Sequence, residues 1–187
     1  MTLFDHKYRI EPARLHGWNY ASAGSYFLTI CTYKNKFILG NIQDGKMVLS
    51  DFGEVVQEEL LKSFDIRSEL TCDNYVIMPN HLHILVSLSP AGPLKKEMTK
   101  PSSLEPKSIS SFIGGFKAAA TVRINMMRRT SGENVWHPRF YDHIVRNAND
   151  FDRIFAYISN NPKAWGDDRF HRRLIDIGDS NQYPDNL

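Results

Sequence analysis

Residues 81–88, His-Leu-His-Ile-Leu-Val-Ser-Leu, constrain the fold of this chain more than any other stretch. Their apolar and β-branched content favours an extended strand, and on a strand successive side chains point to opposite faces. Leu82, Ile84, Val86 and Leu88 then form an unbroken apolar stripe for a core. His81, His83, Leu85 and Ser87 share the face that this core does not need. Two imidazoles side by side make half of a divalent-metal site. The same spacing also admits a purely structural pair, and the motif alone names no reaction.

The remaining pattern predicts the setting of this strand. Ser25–Tyr33 reads as a strand, Phe37–Gly40 leads toward a second, and Asp44-Gly45 turns into a third at Lys46–Leu49. Ser50 or Asp51 caps a helix running to about Ser68, with Val55, Val56, Leu60, Leu61 and Phe64 inward. Leu70–Met78 is the next strand, and Pro79-Asn80 turns it into the histidine strand. Ser108–Arg129 reads as a long helix in which Gly114-Gly115 admits a close backbone neighbour. A short strand within Val135–Val145 and a last helix, capped by Asn147 or Asn149 and ended near Asn161 by Pro162, complete the order. The sequence β-β-β-α-β-β-α-β-α predicts an α+β fold, an antiparallel sheet with packed helices and a ferredoxin-like core.

A chain of 187 residues is expected to form one domain, spanning 1–187. Residues 89–107, rich in Pro, Ser and Lys, read as a mobile loop, and 166–187 as a polar tail. No apolar run spans a bilayer, and Met1–Arg14 is too polar for a signal peptide. Cys31 and Cys72 lie in apolar segments and read as small core residues rather than a disulfide. A cytoplasmic, nucleoid-associated location is the expectation. The net charge is only +2, yet between Lys95 and Arg146 ten basic residues face four acidic ones, a local +6 that suits a polyanion.

The last helix carries a second chemical signal. At 100° per residue, Phe151, Ile154, Phe155 and Ile158 form its buried stripe. Tyr157 lies at the stripe's edge, with Asn161 one turn further on the same side. An amphipathic tyrosine with a wet hydroxyl has the same pattern. Asn161, however, offers an oxygen that completes a two-histidine metal site.

Four segments together resemble the REP-associated tyrosine transposases, single-tyrosine members of the HUH (histidine, hydrophobic residue, histidine) nuclease superfamily. They are Gly24–Thr32, Val76–His83, Val135–Asn147 and Tyr157–Pro162, in the family's order, within a match from about Arg9 to Trp165. The resemblance implies an HUH nuclease fold and a metal-dependent endonuclease and strand transferase, a transposase, acting on single-stranded or hairpin DNA. It implies His81 and His83 as metal ligands, Asn161 as a third, and Tyr157 as the nucleophile. Tyr75 and Tyr141 are the rival tyrosines, both in strand-like segments. Lys117, Arg123, Arg139 and Arg146 are the candidate DNA contacts. Trp136 and Tyr141 are candidates for base stacking, with core packing the commoner role for Trp136.

Phenol has a reference pKa of about 10, so a metal field or a nearby cation must assist its attack. Mg²⁺ or Mn²⁺ is the expected cofactor, with Mn²⁺ better matched to imidazole. Two other functions remain open at this stage: a non-catalytic hairpin-binding protein of the same fold, and a metallohydrolase using a metal-bound water. Monomer and homodimer are both compatible with the sequence.

Overall fold

A computed structural model describes residues 19–89, 107–167 and Phe170. Most of the 89–107 segment and all of the tail beyond Phe170 lie outside the described residues. Among the described residues six strands and three α-helices follow one another: β1 (Gly24–Cys31), β2 (Gly40–Gln43), β3 (Lys46–Leu49), α1 (Asp51–Asp65), β4 (Leu70–Ile77), β5 (His81–Leu88), α2 (Ile109–Met127), β6 (Tyr141–Val145) and α3 (Ala148–Asn160). The main sheet has the order β4-β5-β1-β6 with every neighbour antiparallel, the α+β ferredoxin-like arrangement expected. β2 and β3 form a separate hairpin whose turn residues Asp44 and Gly45 both have positive φ, 50° and 70°.

Helix starts follow their capping chemistry. Ser50 accepts from the Gly53 amide, Ser108 and Ser111 cap each other reciprocally, and Asn147 accepts from the Asp150 amide. α1 ends at Asp65, short of the expected Ser68, because the chain turns at Ile66–Arg67. Arg67 reaches from that turn across Phe112, and its guanidinium lies where a β-carbon on Gly115 would sit, 2.8 Å away. Gly115 thus accommodates a side chain. β6 begins at Tyr141, and the segment before it contributes only a single bridge, Thr32 to Trp136.

The sheet is covered on both faces, unequally. Tyr26, Leu28 and Ile30 of β1 join Leu82, Ile84, Val86 and Leu88 of β5 against α1 and α2 in the large core. On the opposite face Phe27 and Leu85 meet Ile154 and Ile158 of α3 in a small second core. That second core is the departure from the expectation that the histidine face is not needed for packing. Within α3, Ile154 and Ile158 are buried, but Phe155 is 43% exposed and does not belong to the buried stripe. Cys31 is buried and the two cysteines form no disulfide; burial pushes the half-buried Cys72 thiol up to about 11.

The start of α3 is pinned to β6 by charge. Asp150 pairs with His143 at 2.8 Å and with Arg153 at 2.6 Å. Hydrogen bonds from His143 and then Arg153 hold its carboxyl at about 2. The folded value lies below the unfolded one, so this contribution is complete above the ordinary carboxylate range. It is lost as pH falls from 3.8 through about 2. Melting temperature followed against pH should therefore lose part of its acid limb in Asp150→Asn, while a limb identical to wild type would contradict the pairing.

Candidate active site

β5 is a central strand, and its histidines sit at the end nearest the Met78–Asn80 turn. His81 and His83 are 0% and 1% exposed, with their Nε2 atoms 3.2 Å apart. Each Nδ1 is held from behind. Asn80 Oδ1 lies 2.8 Å from His81 Nδ1, and the Asn80 amide nitrogen donates to the Phe170 carbonyl, which fixes the orientation of the amide. An amide oxygen only accepts, so His81 Nδ1 carries the proton and its Nε2 presents a bare lone pair. His83 Nδ1 lies 2.8 Å from the hydroxyl of Thr29, its direct cross-strand partner. Thr29 and Asn80 escape a reading of the sequence alone. Asn80 adjoins the motif, but Thr29 becomes visible only once β1 and β5 are aligned.

α3 delivers the tyrosine. Ile154 and Ile158 set its height over the sheet, and Asn74 of β4 donates to the Phe155 carbonyl and the Ser159 hydroxyl. The Tyr157 hydroxyl then lies 3.3 Å from His83 Nε2, with its ring edge-on to Phe27 at 5.9 Å. Tyr157 is 44% exposed, so the side chain spans from a buried imidazole toward solvent. Asn161, one turn on, is 2% exposed, and among the described residues its Oδ1 has no hydrogen-bond partner. A buried acceptor left without a donor is costly unless something else satisfies it.

The two imidazole nitrogens suit a borderline divalent ion, and the Asn161 carboxamide oxygen would supply a third donor to complete the set. Among the described residues no group of three His, Cys, Asp or Glu side chains could hold a metal, so the set depends on the carboxamide. On the outer side Phe170 packs against His81 with ring centres 4.4 Å apart, although it belongs to the segment read as a polar tail. Trp165 follows at 6.1 Å from His81.

No protein-family model matches the chain. An uncharacterized Haemophilus influenzae protein is 33% identical over 168 residues, covering 84% of this chain and 91% of that protein. The Haemophilus influenzae protein named "Putative REP-associated tyrosine transposase" is 24% identical over 165 residues, covering 75% of this chain and 85% of that protein. The structure of a REP-associated tyrosine transposase bound to a REP hairpin shares the fold, with a TM-score of 0.57 at 20% identity. That match covers 91% of this chain and 94% of the other. The chain is thus similar in sequence to a protein named as a putative REP-associated tyrosine transposase and has the fold of a solved one.

The rival tyrosines of the sequence reading are placed differently from Tyr157. Tyr75 accepts from Gln57 of α1 and packs against the large core, on the far side of the sheet from the histidines. Tyr141 is partly buried beside Thr29 in β6 and lies on the histidine face. Trp136 is a core residue, 6% exposed, with its indole donating to the Lys117 carbonyl.

The four candidate DNA contacts divide in two. Lys117 spends its ammonium on the His137 and Arg139 carbonyls, both at 2.8 Å, and burial pulls it down to about 8. Burial, reinforced by the Lys117 charge, takes the neighbouring His137 down to about 4. Arg123 pairs with Glu58 and Glu59 of α1, on the face opposite the histidines. Both side chains are thus engaged by partners within the fold. Arg139 and Arg146 are exposed. Among the described residues no helix is long and apolar enough to cross a membrane.

Proposed function

We propose that this chain is a metal-dependent endonuclease and strand transferase for single-stranded, hairpin-containing DNA, with Tyr157 as nucleophile. The observation that carries this reading is the convergence of three groups from two elements. The Tyr157 hydroxyl lies 3.3 Å from His83 Nε2, which itself lies 3.2 Å from His81 Nε2. The hairpin bound by the structural neighbour supports hairpin DNA as the substrate class.

His81, His83 and Asn161 would hold the ion, Mn²⁺ in preference to Mg²⁺ because two of three donors are imidazole. Bound there, a divalent ion would supply Lewis-acid polarisation of a phosphate. The chain's own residues perform the rest. The Tyr157 oxygen attacks phosphorus and forms a P–O bond, and the P–O3′ bond breaks. The phenolic proton leaves to the solvent that reaches this half-exposed side chain, and the departing 3′ oxygen takes one up. The product is a 5′-phosphotyrosine with a free 3′-hydroxyl, and a second 3′-hydroxyl reverses the step on a new strand. Because nucleophile and imidazoles meet within one chain, a monomer has the complete set, and a homodimer is equally compatible.

The test is incubation of the protein with hairpin-containing single-stranded DNA and Mn²⁺, resolved by denaturing electrophoresis. A band of protein joined to DNA is expected. Free cleaved DNA without that band would favour hydrolysis by a metal-bound water, and binding without cleavage a non-catalytic hairpin protein. The groups behind the ligands yield a finer expectation. Thr29→Val keeps the volume but removes the hydroxyl that orients His83. Mn²⁺ affinity, measured by calorimetric titration, should fall by about tenfold or more. Unchanged affinity would mean that the hydroxyl does not set the ring.

A further inference from the structure

A second feature stands beside the histidines and has no part in the chemistry above. A run of rings leads outward from His81: Trp165 lies 6.1 Å from it, and Phe37 meets Trp165 edge-on at 5.7 Å. Phe37 is 45% exposed, an unusual position for a phenyl ring in a well-packed fold. The segment that presents it is strained. Lys34 and Asn35 are consecutive non-glycine residues with φ of 55° and 52°, the left-handed region in which side chains crowd the backbone. Such strain persists only where the surroundings enforce it, and it clusters at ligand-gripping sites.

The enforcing contacts lead back to the histidine turn. The Thr32 hydroxyl lies 2.8 Å from the Lys36 carbonyl and 2.9 Å from the Asn80 carbonyl. The Leu39 amide donates to the Pro79 carbonyl. The exposed ring is therefore fixed relative to Asn80, the residue that orients His81. Charge surrounds it. Residues 33–46 and 162–167 carry Lys34, Lys36, Lys46 and Lys163 against Asp44 and Asp167, and Lys34, Lys36 and Lys163 are exposed. The aliphatic stem of Lys163 runs over the β2–β3 turn, with its Cγ 3.5 Å from where a Gly45 β-carbon would lie.

We propose that Phe37 and Trp165 form a stacking ledge for an unpaired base of the strand that enters the His81–Tyr157 cleft, with Lys34, Lys36 and Lys163 gripping its phosphates. The ledge deepens the single-strand reading of the site and rests on it. An aromatic face flanked by flexible cations is what sequence-tolerant single-strand binding requires, because every base has a stacking face while the phosphates are common to all. A fixed ring distance from the histidines would hold the flanking nucleotide so that the next phosphate meets the Tyr157 hydroxyl. A fully paired end offers no open base to such a ledge.

The test measures binding alone, in chelator, so that cleavage plays no part. The probes are one hairpin with a short single-stranded extension at its 5′ end, at its 3′ end, or at neither. Phe37→Ala should weaken binding of an extended hairpin by roughly 5- to 100-fold and leave the blunt hairpin unchanged. Phe37→Trp should restore it. An abasic residue at the contacted position of the extension should abolish the difference between wild type and Phe37→Ala. Equal affinities of wild type and Phe37→Ala for both extended hairpins, or an equal loss on the blunt one, would overturn the ledge alone. A wild-type chain that binds none of the three DNAs would overturn the single-strand reading as well.

Discussion

Tyr157→Phe should bind hairpin DNA as wild type does and form no covalent adduct with it. The hydroxyl removed is partly solvated and makes its contact at 3.3 Å with His83, whereas the ring it leaves behind keeps its edge-on packing on Phe27. The α3 helix is seated by Ile154 and Ile158, neither of which is disturbed. Stability should change little, and the loss should fall on the bond-forming step, since without the oxygen no phosphotyrosine forms. Strand cleavage should drop by on the order of 10⁴-fold or more, as when a covalent nucleophile is removed elsewhere. Cleavage at the wild-type rate by Tyr157→Phe would assign the attack to another oxygen. Tyr141 is then the residue to replace next, because it shares the histidine face.

Loss of an imidazole should be nearly as severe and should differ in kind. In His83→Ala the variant loses a nitrogen donor, the partner of the Tyr157 hydroxyl and the acceptor or donor for Thr29. A Lewis acid supplies several kcal/mol toward the charge developing on phosphate, so the rate should fall by about a thousandfold or more. The informative readout is the Mn²⁺ titration: wild type should saturate, and His83→Ala should not at any practical concentration. Hairpin binding in chelator separates this from unfolding, because a folded variant still holds DNA through surfaces that the imidazole does not touch. Full activity and an unshifted Mn²⁺ curve in His83→Ala would remove the metal from the proposed mechanism.

Much of this arrangement was legible because two periodicities report directly on it. Alternation along β5 placed His81 and His83 on one face, and the 3.6-residue repeat of α3 placed Tyr157 and Asn161 one turn apart. The failures have physical causes. Phe155 fell within the apolar arc of a helical wheel, but α3 touches the sheet through the narrower strip of Ile154 and Ile158. Counting lysines and arginines identifies charge but not its partners, and Arg123 is met by Glu59 from 64 residues earlier in the chain. Thr29 and Asn80 depend on strand pairing and on one amide orientation, which no local pattern encodes. Phe170 sits in a polar stretch whose composition hides its place against His81.

The unequal covering of the sheet has a mechanical consequence. The imidazoles are built into a strand locked by neighbours on either side and backed by the large core, whereas the phenol rides on a helix seated by two isoleucines, Phe27 and Leu85. Small apolar seats release at lower free energy than the body they rest on. In the proposed reaction the half that would become bonded to DNA is thus the half on the smaller seat, so a captured strand could be swung toward a new acceptor while the anchoring platform stays still.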